Sequence, residues 1–170
     1  MGLAAAIAKL DAAVDTAVER VRSPALDRIV YPLSSAADHS ILWHAAGAAR
    51  ALARGGDVRW AARFAAAMGA ESALTNGVVK TAFRRVRPLP YEHVEFRYGL
   101  HRPITSSFPS GHATAAFCAA RLLGGGPWYA VAAAVAVTRV YVRLHHLSDV
   151  AAGAALGIAL GVALQPLVGE

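Results

Sequence analysis

The stretch Pro109-Ser110-Gly111-His112 stands at the start of an alanine-rich run that is typical of a helix. The first turn of a helix presents unpaired N–H groups and a partial positive charge, so it is a ready binding site for anions. Gly111 allows an anion to approach the backbone closely, Ser110 adds a hydroxyl donor, and His112 places a proton donor beside both. The stretch therefore predicts an anion site with an acid at its edge.

Three cations precede this stretch at helical spacing. Lys80 and Arg87 are seven residues apart, which is about two helical turns, and Arg84 falls on the same face. Positive charge near a helix C-terminus is favourable by itself, so a solvated face is the alternative for each of them. Together with the predicted anion site, they indicate a second group of anion-binding side chains.

A third cluster contains Arg139, His145 and Asp149. The aspartate follows the histidine by four residues. A carboxylate that accepts a hydrogen bond from one imidazole nitrogen fixes the tautomer and leaves the other nitrogen as a nucleophile or base. Arg139 precedes His145 by six residues, about 240° around an ideal helix, so the two share a face only if the helix breaks. We expect that break near residues 144–147.

Six helices are predicted to position these residues. Residues 3–22 have an amphipathic pattern suited to a membrane surface, and Lys9, Asp11 and Asp15 interrupt the apolar core that a signal peptide would need. The other predicted helices cover 34–53, 58–87, 109 to the glycines at 124–126, 128–144, and 148–164 with Ser148 as the N-cap. If the helices alternate in direction, the three clusters meet at one end, beside a loop at 89–107.

The composition favours a membrane protein. Hydrophobic residues make up 56% of the chain, charged residues 16%, and the mean hydropathy is +0.40. A span needs about 20 apolar residues, and most of the last five helices are near the short end of that range. Gly153 and Gly157, four apart, suit close helix packing in lipid. We expect an all-α six-helix bundle with about five short membrane spans and an N-terminal amphipathic helix; a soluble bundle is the alternative.

The charge and the cysteine count exclude other classes of function. A net charge of +6 fits an anionic substrate or an anionic lipid. The arginines are spread along the chain without an aromatic-basic ladder, so no nucleic-acid partner is expected. Cys118 is the only cysteine, which rules out an intrachain disulfide and a multi-cysteine zinc site. No sequence feature fixes an oligomeric state.

As a set, the three clusters resemble the signature of the type 2 phosphatidic acid phosphatase superfamily. Its pattern is Lys-x6-Arg-Pro, then Pro-Ser-Gly-His, then Ser-Arg-x5-His-x3-Asp, and residues 80–149 match it in order and spacing. Thr138 replaces the signature serine and keeps a hydroxyl. The group includes lipid phosphate phosphatases, bacterial class A acid phosphatases and vanadium haloperoxidases. The resemblance implies one phosphatase domain over residues 1–170.

The resemblance also implies a mechanism. His145 would attack phosphorus and form a phosphohistidine, Asp149 would orient it, and His112 would protonate the leaving oxygen. The groups implied to hold the phosphoryl oxygens are Lys80, Arg87, Ser110, Gly111 and Arg139. Because three cations and a helix terminus can stabilise the transferring phosphoryl group by themselves, we expect no metal and no other cofactor.

Several polar residues are assigned less directly. Glu71, Arg84 and Thr138 are expected to support the site from behind it. Asp38, His39 and His44 cluster on the second helix and either reach the substrate or serve in capping and packing.

The apolar surroundings favour a lipid phosphate that enters from the bilayer, with a prenyl-linked sugar phosphate as a specific alternative. More lysine and arginine lie at the predicted active-site end than at the other, which favours the cytoplasmic face of a bacterial inner membrane. Two functions of other classes stay open, a vanadium-dependent haloperoxidase and a non-catalytic membrane scaffold.

Overall fold

The computed structural model describes residues 2–169, apart from the side chain of His39. Within this range the chain is all helical, with no strand, and it forms eight α-helices rather than the six predicted. They are α1 (Leu3–Val21), α2 (Pro24–Ala36), α3 (Ile41–Ala53), α4 (Val58–Ser72), α5 (Glu92–Tyr98), α6 (Gly111–Leu122), α7 (Pro127–Tyr141) and α8 (Leu147–Val168).

The predicted helix over 34–53 is in fact two helices, α2 and α3. Ser23 accepts a hydrogen bond from the Leu26 amide and Pro24 occupies the first turn, so α2 begins ten residues earlier than predicted. A 3₁₀ turn at Asp38–Ser40, with Ser40 in the left-handed region, then separates it from α3. This break turns Asp38 toward the end of the bundle where the site lies.

The predicted helix over 58–87 ends earlier. After α4 the chain forms a π-helical turn at Ala73–Val78 and a 3₁₀ turn at Val79–Ala82, and Phe83 is extended. Glycine, asparagine and β-branched residues dominate this stretch and favour helix poorly. The helical face expected for Lys80, Arg84 and Arg87 therefore does not exist.

The other helix boundaries differ from the predicted ones by fewer residues. The predicted loop at 89–107 contains the short helix α5. The fifth predicted helix ends at Tyr141, and the expected break follows it, with Arg143 in the left-handed region. His146, rather than Ser148, is the N-cap of α8.

The helix α6 lies at the centre of the bundle, where it packs against α8, α7 and α4. A Cβ atom on Gly153 would lie 2.5 Å from the Ser110 carbonyl oxygen, and one on Gly157 would lie 3.0 Å from the Cys118 nitrogen. Since real Cβ atoms do not approach backbone so closely, these glycines allow α8 to contact α6 backbone to backbone. The close packing predicted for this pair is confirmed, and it joins the start of α6 to the start of α8.

One helix in the described part of the chain, α8, is long and apolar enough to cross a bilayer. It has 22 residues, its most apolar window has a mean hydropathy of 1.9, and only 28% of that window is buried. By contrast, α4, α6 and α7 have 15, 12 and 15 residues, below the roughly 20 that a span requires. About five membrane spans were predicted. By helix length and hydropathy, the described residues contain one helix that qualifies as a span.

Candidate active site

A cavity of about 190 Å³ opens at the end of the bundle where α6 begins and α7 ends. Six of the residues predicted from the sequence line it: Lys80, Arg87, Gly111, His112, Arg139 and His145. They come from three separate stretches of the chain. The breaks after α4 and after α7 bring these stretches together, because straight helices would carry Arg87 and His145 away from the start of α6.

The start of α6 forms one wall of the cavity. Ser110 caps the helix by accepting a hydrogen bond from the Ala113 amide, and Gly111 is the first helical residue. A Cβ atom on Gly111 would lie 3.4 Å from the Lys80 ammonium and 2.9 Å from the Asn76 amide oxygen. The missing side chain therefore lets a cation and an amide lie directly against the helix terminus. Ser110 itself is fully buried and lies behind the cavity lining.

His145 presents one nitrogen to the cavity and is held by the other. Its Nδ1 lies 2.7 Å from the Ser107 carbonyl oxygen, which can only accept, so Nδ1 carries the proton. Nε2 then carries the electron pair and accepts a hydrogen bond from Nη1 of Arg87 at 3.3 Å. Burial, with the nearby charges of Arg87 and Arg139 and against the opposing effect of Asp149, lowers the pKa of His145 to about 3. The imidazole is therefore neutral.

The pairing predicted between His145 and Asp149 is looser than expected. Nδ1 of His145 lies 3.8 Å from Oδ2 of Asp149, an ion-pair distance rather than a hydrogen bond. Asp149 is fully buried behind the cavity lining. The sequence pattern indicated the right neighbour, but the Ser107 carbonyl fixes the tautomer, and Asp149 acts on the ring through its charge.

The two arginines of the cavity are held mainly by carbonyl oxygens. Arg87 donates to the carbonyls of Leu144 at 2.6 Å and Ser106 at 3.2 Å. Arg139, which is 2% exposed, donates to both oxygens of Ser34. Carbonyl groups orient a guanidinium without neutralising its charge. The charge of Arg87 therefore stays available to an anion in the cavity, whereas that of Arg139 is partly offset by Asp38, whose Oδ1 lies 3.4 Å from Nη1.

Lys80 is the third cation. Burial and repulsion from Arg87 and Arg139 lower its pKa to about 8. An anion bound among the three cations would relieve this repulsion. The electrostatics of the cavity thus favour an anionic ligand.

Asp38, for which the sequence left substrate contact and packing both open, lies outside the cavity lining but contacts two of the lining residues. Its Oδ1 lies 2.7 Å from Nε2 of His112 and 3.4 Å from Nη1 of Arg139. The carboxylate therefore orients His112 from the short turn between α2 and α3. The polar cluster at residues 38–44 was its only sequence signal, and the side chain of His39 lies outside the described residues.

The three residues predicted to support the site, Glu71, Arg84 and Thr138, lie outside the cavity lining. Glu71 is buried below the cavity and accepts a hydrogen bond from Thr75 at 2.9 Å. Thr138 donates to the Val135 carbonyl within its own helix. Arg84 is exposed, and its neighbour Arg85 makes the contact with Asp149 instead, because this stretch is extended and alternate residues face opposite sides.

A groove of about 640 Å³ adjoins the cavity and shares Arg87, Pro103 and Thr105 with it. The exposed apolar side chains along it are Phe83, Val86, Leu89 and Ile104. Exposed apolar surface of this kind is typical of contact with lipid, a ligand or a partner. Among the described residues, no cluster of three or more His, Cys, Asp or Glu side chains is arranged to hold a metal ion.

Comparison with known proteins places this geometry in a family. The model of the PAP2 superfamily matches residues 60–169. The decaprenylphosphoryl-5-phosphoribose phosphatase of Mycolicibacterium smegmatis (strain ATCC 700084 / mc(2)155) is 36% identical over 126 residues, which cover 71% of this chain and 67% of that protein.

A solved structure has the same fold. It is the crystal structure of a transmembrane PAP2-type phosphatidylglycerolphosphate phosphatase from Bacillus subtilis, with a TM-score of 0.73. The match covers 95% of this chain and 85% of that one at 24% identity. The similarity at this level of identity concerns the fold.

Proposed function

The chain belongs to the PAP2 superfamily and is a phosphatase, and we propose that it hydrolyses a phosphorylated membrane lipid through a phosphohistidine on His145. The observation that carries the proposal is the cavity itself. A neutral imidazole nitrogen faces the same small space as Lys80, Arg87 and Arg139. A nucleophile and three cations around one anion site are what phosphoryl transfer requires.

In the first step, Nε2 of His145 bonds to phosphorus while the bond from phosphorus to the leaving oxygen breaks. His112 enters this step with both ring nitrogens protonated; its Nε2–H stays bonded to Asp38, and its Nδ1 proton goes to the leaving oxygen. The Nδ1–H group keeps its bond to the Ser107 carbonyl, and Asp149 stabilises the positive charge that develops on the ring. The proposed ligands of the phosphoryl oxygens are Lys80, Arg87, Arg139 and the amide of Gly111, with Ser110 fixing the helix terminus.

In the second step, a water molecule attacks the phosphohistidine and His112 accepts its proton. The bond between Nε2 and phosphorus breaks, and inorganic phosphate leaves. The contact between Asp38 and His112 supports both steps, since it holds the ring where it faces the leaving oxygen first and the water later. No step requires a metal ion.

The groove beside the cavity supports a lipid substrate, because its apolar side chains would receive the first part of a lipid chain whose phosphate lies at Arg87. The proposed substrates are phosphomonoesters or diphosphates of prenyl or glycerol lipids. Within this range, 36% identity to a decaprenylphosphoryl-5-phosphoribose phosphatase supports a prenyl-linked sugar phosphate, and with it a step of cell-wall synthesis.

We further propose that the protein is embedded in the bacterial cytoplasmic membrane, with the site at the cytoplasmic face. The length and apolar surface of α8 and the exposed apolar residues of α1 support the membrane location. The excess of lysine and arginine at the active-site end supports the orientation.

The test is phosphate release by detergent-purified protein in EDTA. The panel contains decaprenylphosphoryl-phosphoribose, a polyprenyl diphosphate, phosphatidic acid and phosphatidylglycerol phosphate. We expect release by the wild type, and a loss of about 10⁴-fold or more for His145→Ala, as for other nucleophiles that act as part of a catalytic unit. His101→Ala is the matched control, because His101 is exposed and lies outside the cavity lining.

Each part of the proposal can fail separately in this assay. Equal release by His145→Ala would exclude the phosphohistidine. Loss of activity in EDTA that magnesium alone restores would exclude the metal-free mechanism. Halide oxidation with added vanadate, in the absence of any phosphate release, would indicate the haloperoxidase alternative.

A further inference from the structure

The amphipathic helix α1 buries an aspartate and exposes its apolar residues. Asp11 is 3% exposed, whereas Leu10 beside it is 53% exposed and Leu3 is 78% exposed. Asp11 is also the one residue of α1 that is fully buried. An ionised carboxylate is costly to bury unless strong partners satisfy it. The contacts of Asp11 therefore determine how α1 is held.

Asp11 lies against the start of α8. Its Oδ1 accepts from the Ser148 amide at 2.9 Å, and its Oδ2 accepts from the Ser148 hydroxyl at 2.7 Å. The Ser148 amide is one of the first N–H groups of α8, which have no partner within the helix. Asp11 thus caps α8 from a different helix, and the partial positive charge of the helix terminus favours its negative charge.

Arg85 connects Asp11 to Asp149. Its Nη2 donates to Oδ2 of Asp11 at 2.6 Å, and its Nη1 donates to Oδ1 of Asp149 at 2.6 Å. Nη1 also lies 2.7 Å from the Ser148 hydroxyl. Burial raises the pKa of Asp11, but the hydrogen bonds from Ser148 and Arg85 outweigh it and hold that pKa below its usual value. The guanidinium therefore bridges two ionised carboxylates.

The bridge determines the orientation of the Asp149 carboxylate. With Oδ1 held by Arg85, Oδ2 accepts from the His146 amide at 2.9 Å and lies 3.8 Å from Nδ1 of His145. A carboxylate held at both oxygens cannot rotate away from the imidazole. Contacts therefore connect α1 to the proposed nucleophile: Asp11 contacts Arg85, Arg85 contacts Asp149, and Asp149 lies beside His145.

We propose that Asp11 is a positioning residue of the active site, which acts through Arg85 to fix Asp149 beside His145. On this proposal α1 contributes to catalysis as well as to the stability of the fold. The proposal rests on the proposed role of His145 as the nucleophile. If Asp11 only anchored α1, its removal would lower stability and leave the turnover of the folded protein unchanged.

The test compares Asp11→Asn with Asp27→Asn. Asp27 is a matched control, because it is also buried, pairs with Arg22 at 2.8 Å and accepts from the Tyr141 hydroxyl at 2.9 Å, while neither partner contacts Asp149. Measured on the same lipid phosphate, Asp11→Asn should lower kcat about 10- to 100-fold with KM changed less than about twofold. Asp27→Asn should keep the wild-type kcat, even if it lowers the Tm as much as Asp11→Asn does.

Further variants test the route from Asp11 through Arg85 to Asp149. Arg85→Lys keeps the charge but has no planar fork to bridge two carboxylates, so it should lower kcat in the same way. In the Asp149→Asn background, Asp11→Asn should have little additional effect on kcat, since both changes act on one contact. Asp11→Glu should recover part of the rate.

The outcomes distinguish this inference from the proposed function. Wild-type kcat for both Asp11→Asn and Arg85→Lys in an active protein would overturn the role of Asp11 alone. Additive effects of Asp11→Asn and Asp149→Asn would overturn the route through Asp149. A wild-type protein without phosphatase activity would overturn the proposed function, and this inference with it.

Discussion

Among the residues of the cavity, Lys80 is the cation whose charge depends on pH in the working range. Burial and the repulsion from Arg87 and Arg139 lower its pKa to about 8. A lysine with a lowered pKa is charged below that value and loses its charge as the pH rises through it. In the proposed mechanism the charged form of Lys80 binds the phosphate, so kcat/KM should fall about tenfold per pH unit above about pH 8.

Lys80→Arg tests this assignment. A guanidinium keeps its charge to well above pH 10, so the variant should lack the fall in kcat/KM above about pH 8, whatever its absolute rate. The measurement is kcat/KM against pH for both proteins from about pH 6 to about pH 10. The acid side of the profile is the internal control and should not move. A basic limb at the same pH in both proteins would show that Lys80 is not the group responsible.

The site residues that could be predicted from the sequence are those that lie within short motifs, a few residues apart in the chain. Three short stretches identified Lys80, Arg87, Gly111, His112, Arg139 and His145, and all of them line one cavity. Asp38 contacts His112, and Asp11 contacts Arg85 outside the cavity lining, each across 74 residues of the chain, so no spacing marks either aspartate. The only signal for Asp11 was an acidic residue within an otherwise apolar helical pattern. Arg84 was assigned from a helix that is not formed, and Arg85 was given no role in the site.

At the scale of the elements, the contact between α6 and α8 holds the site together. The helix α6 carries Gly111 and His112, and α8 carries Asp149 in its first turn. Their backbones approach most closely at Gly153 and Gly157. Helix periodicity predicted both elements, and the small-residue spacing predicted that α8 packs closely, without indicating α6 as its neighbour. The π-helical and 3₁₀ turns after α4 were not predicted, although the glycine, asparagine and β-branched residues of that stretch favour helix poorly.

Gly157→Ala should therefore damage stability and catalysis together. The new Cβ atom would meet the Thr114 carbonyl and, at 3.0 Å, the Cys118 nitrogen, and neither backbone atom can move without displacing α6. Overpacking of this kind costs about 1–3 kcal/mol. The measurements are the Tm in detergent and kcat on a lipid phosphate.

Gly69→Ala is the control for the helical glycine itself. It lies within α4 with no atom near the position of a new Cβ. Alanine there should leave kcat unchanged and stabilise the helix by up to about 1 kcal/mol. Equal Tm values for Gly157→Ala and the wild type would contradict the tight contact between α6 and α8.

For the whole molecule, exposed apolar surface occurs in three places that a bilayer would cover. The first is most of α8, the second is the outer side of α1, and the third is the groove beside the cavity. Both α1 and the groove lie at the active-site end, and Asp11 ties α1 to the start of α8. A membrane surface at this end would therefore contact the lipid groove and α1 at once, which fits a substrate taken from the bilayer.

The orientation in the membrane can be tested with single cysteines, because the natural Cys118 is buried and should resist labelling. His101→Cys places a thiol at the active-site end, and Val58→Cys places one at the opposite end, where α4 begins; both positions are exposed. In intact cells, a membrane-impermeant maleimide should label Val58→Cys and spare His101→Cys until the membrane is permeabilised. Both variants should be labelled after permeabilisation, while the wild type stays unlabelled throughout. The reverse pattern would place the site on the outer face and would favour a substrate that is recycled there over one used in cytoplasmic synthesis.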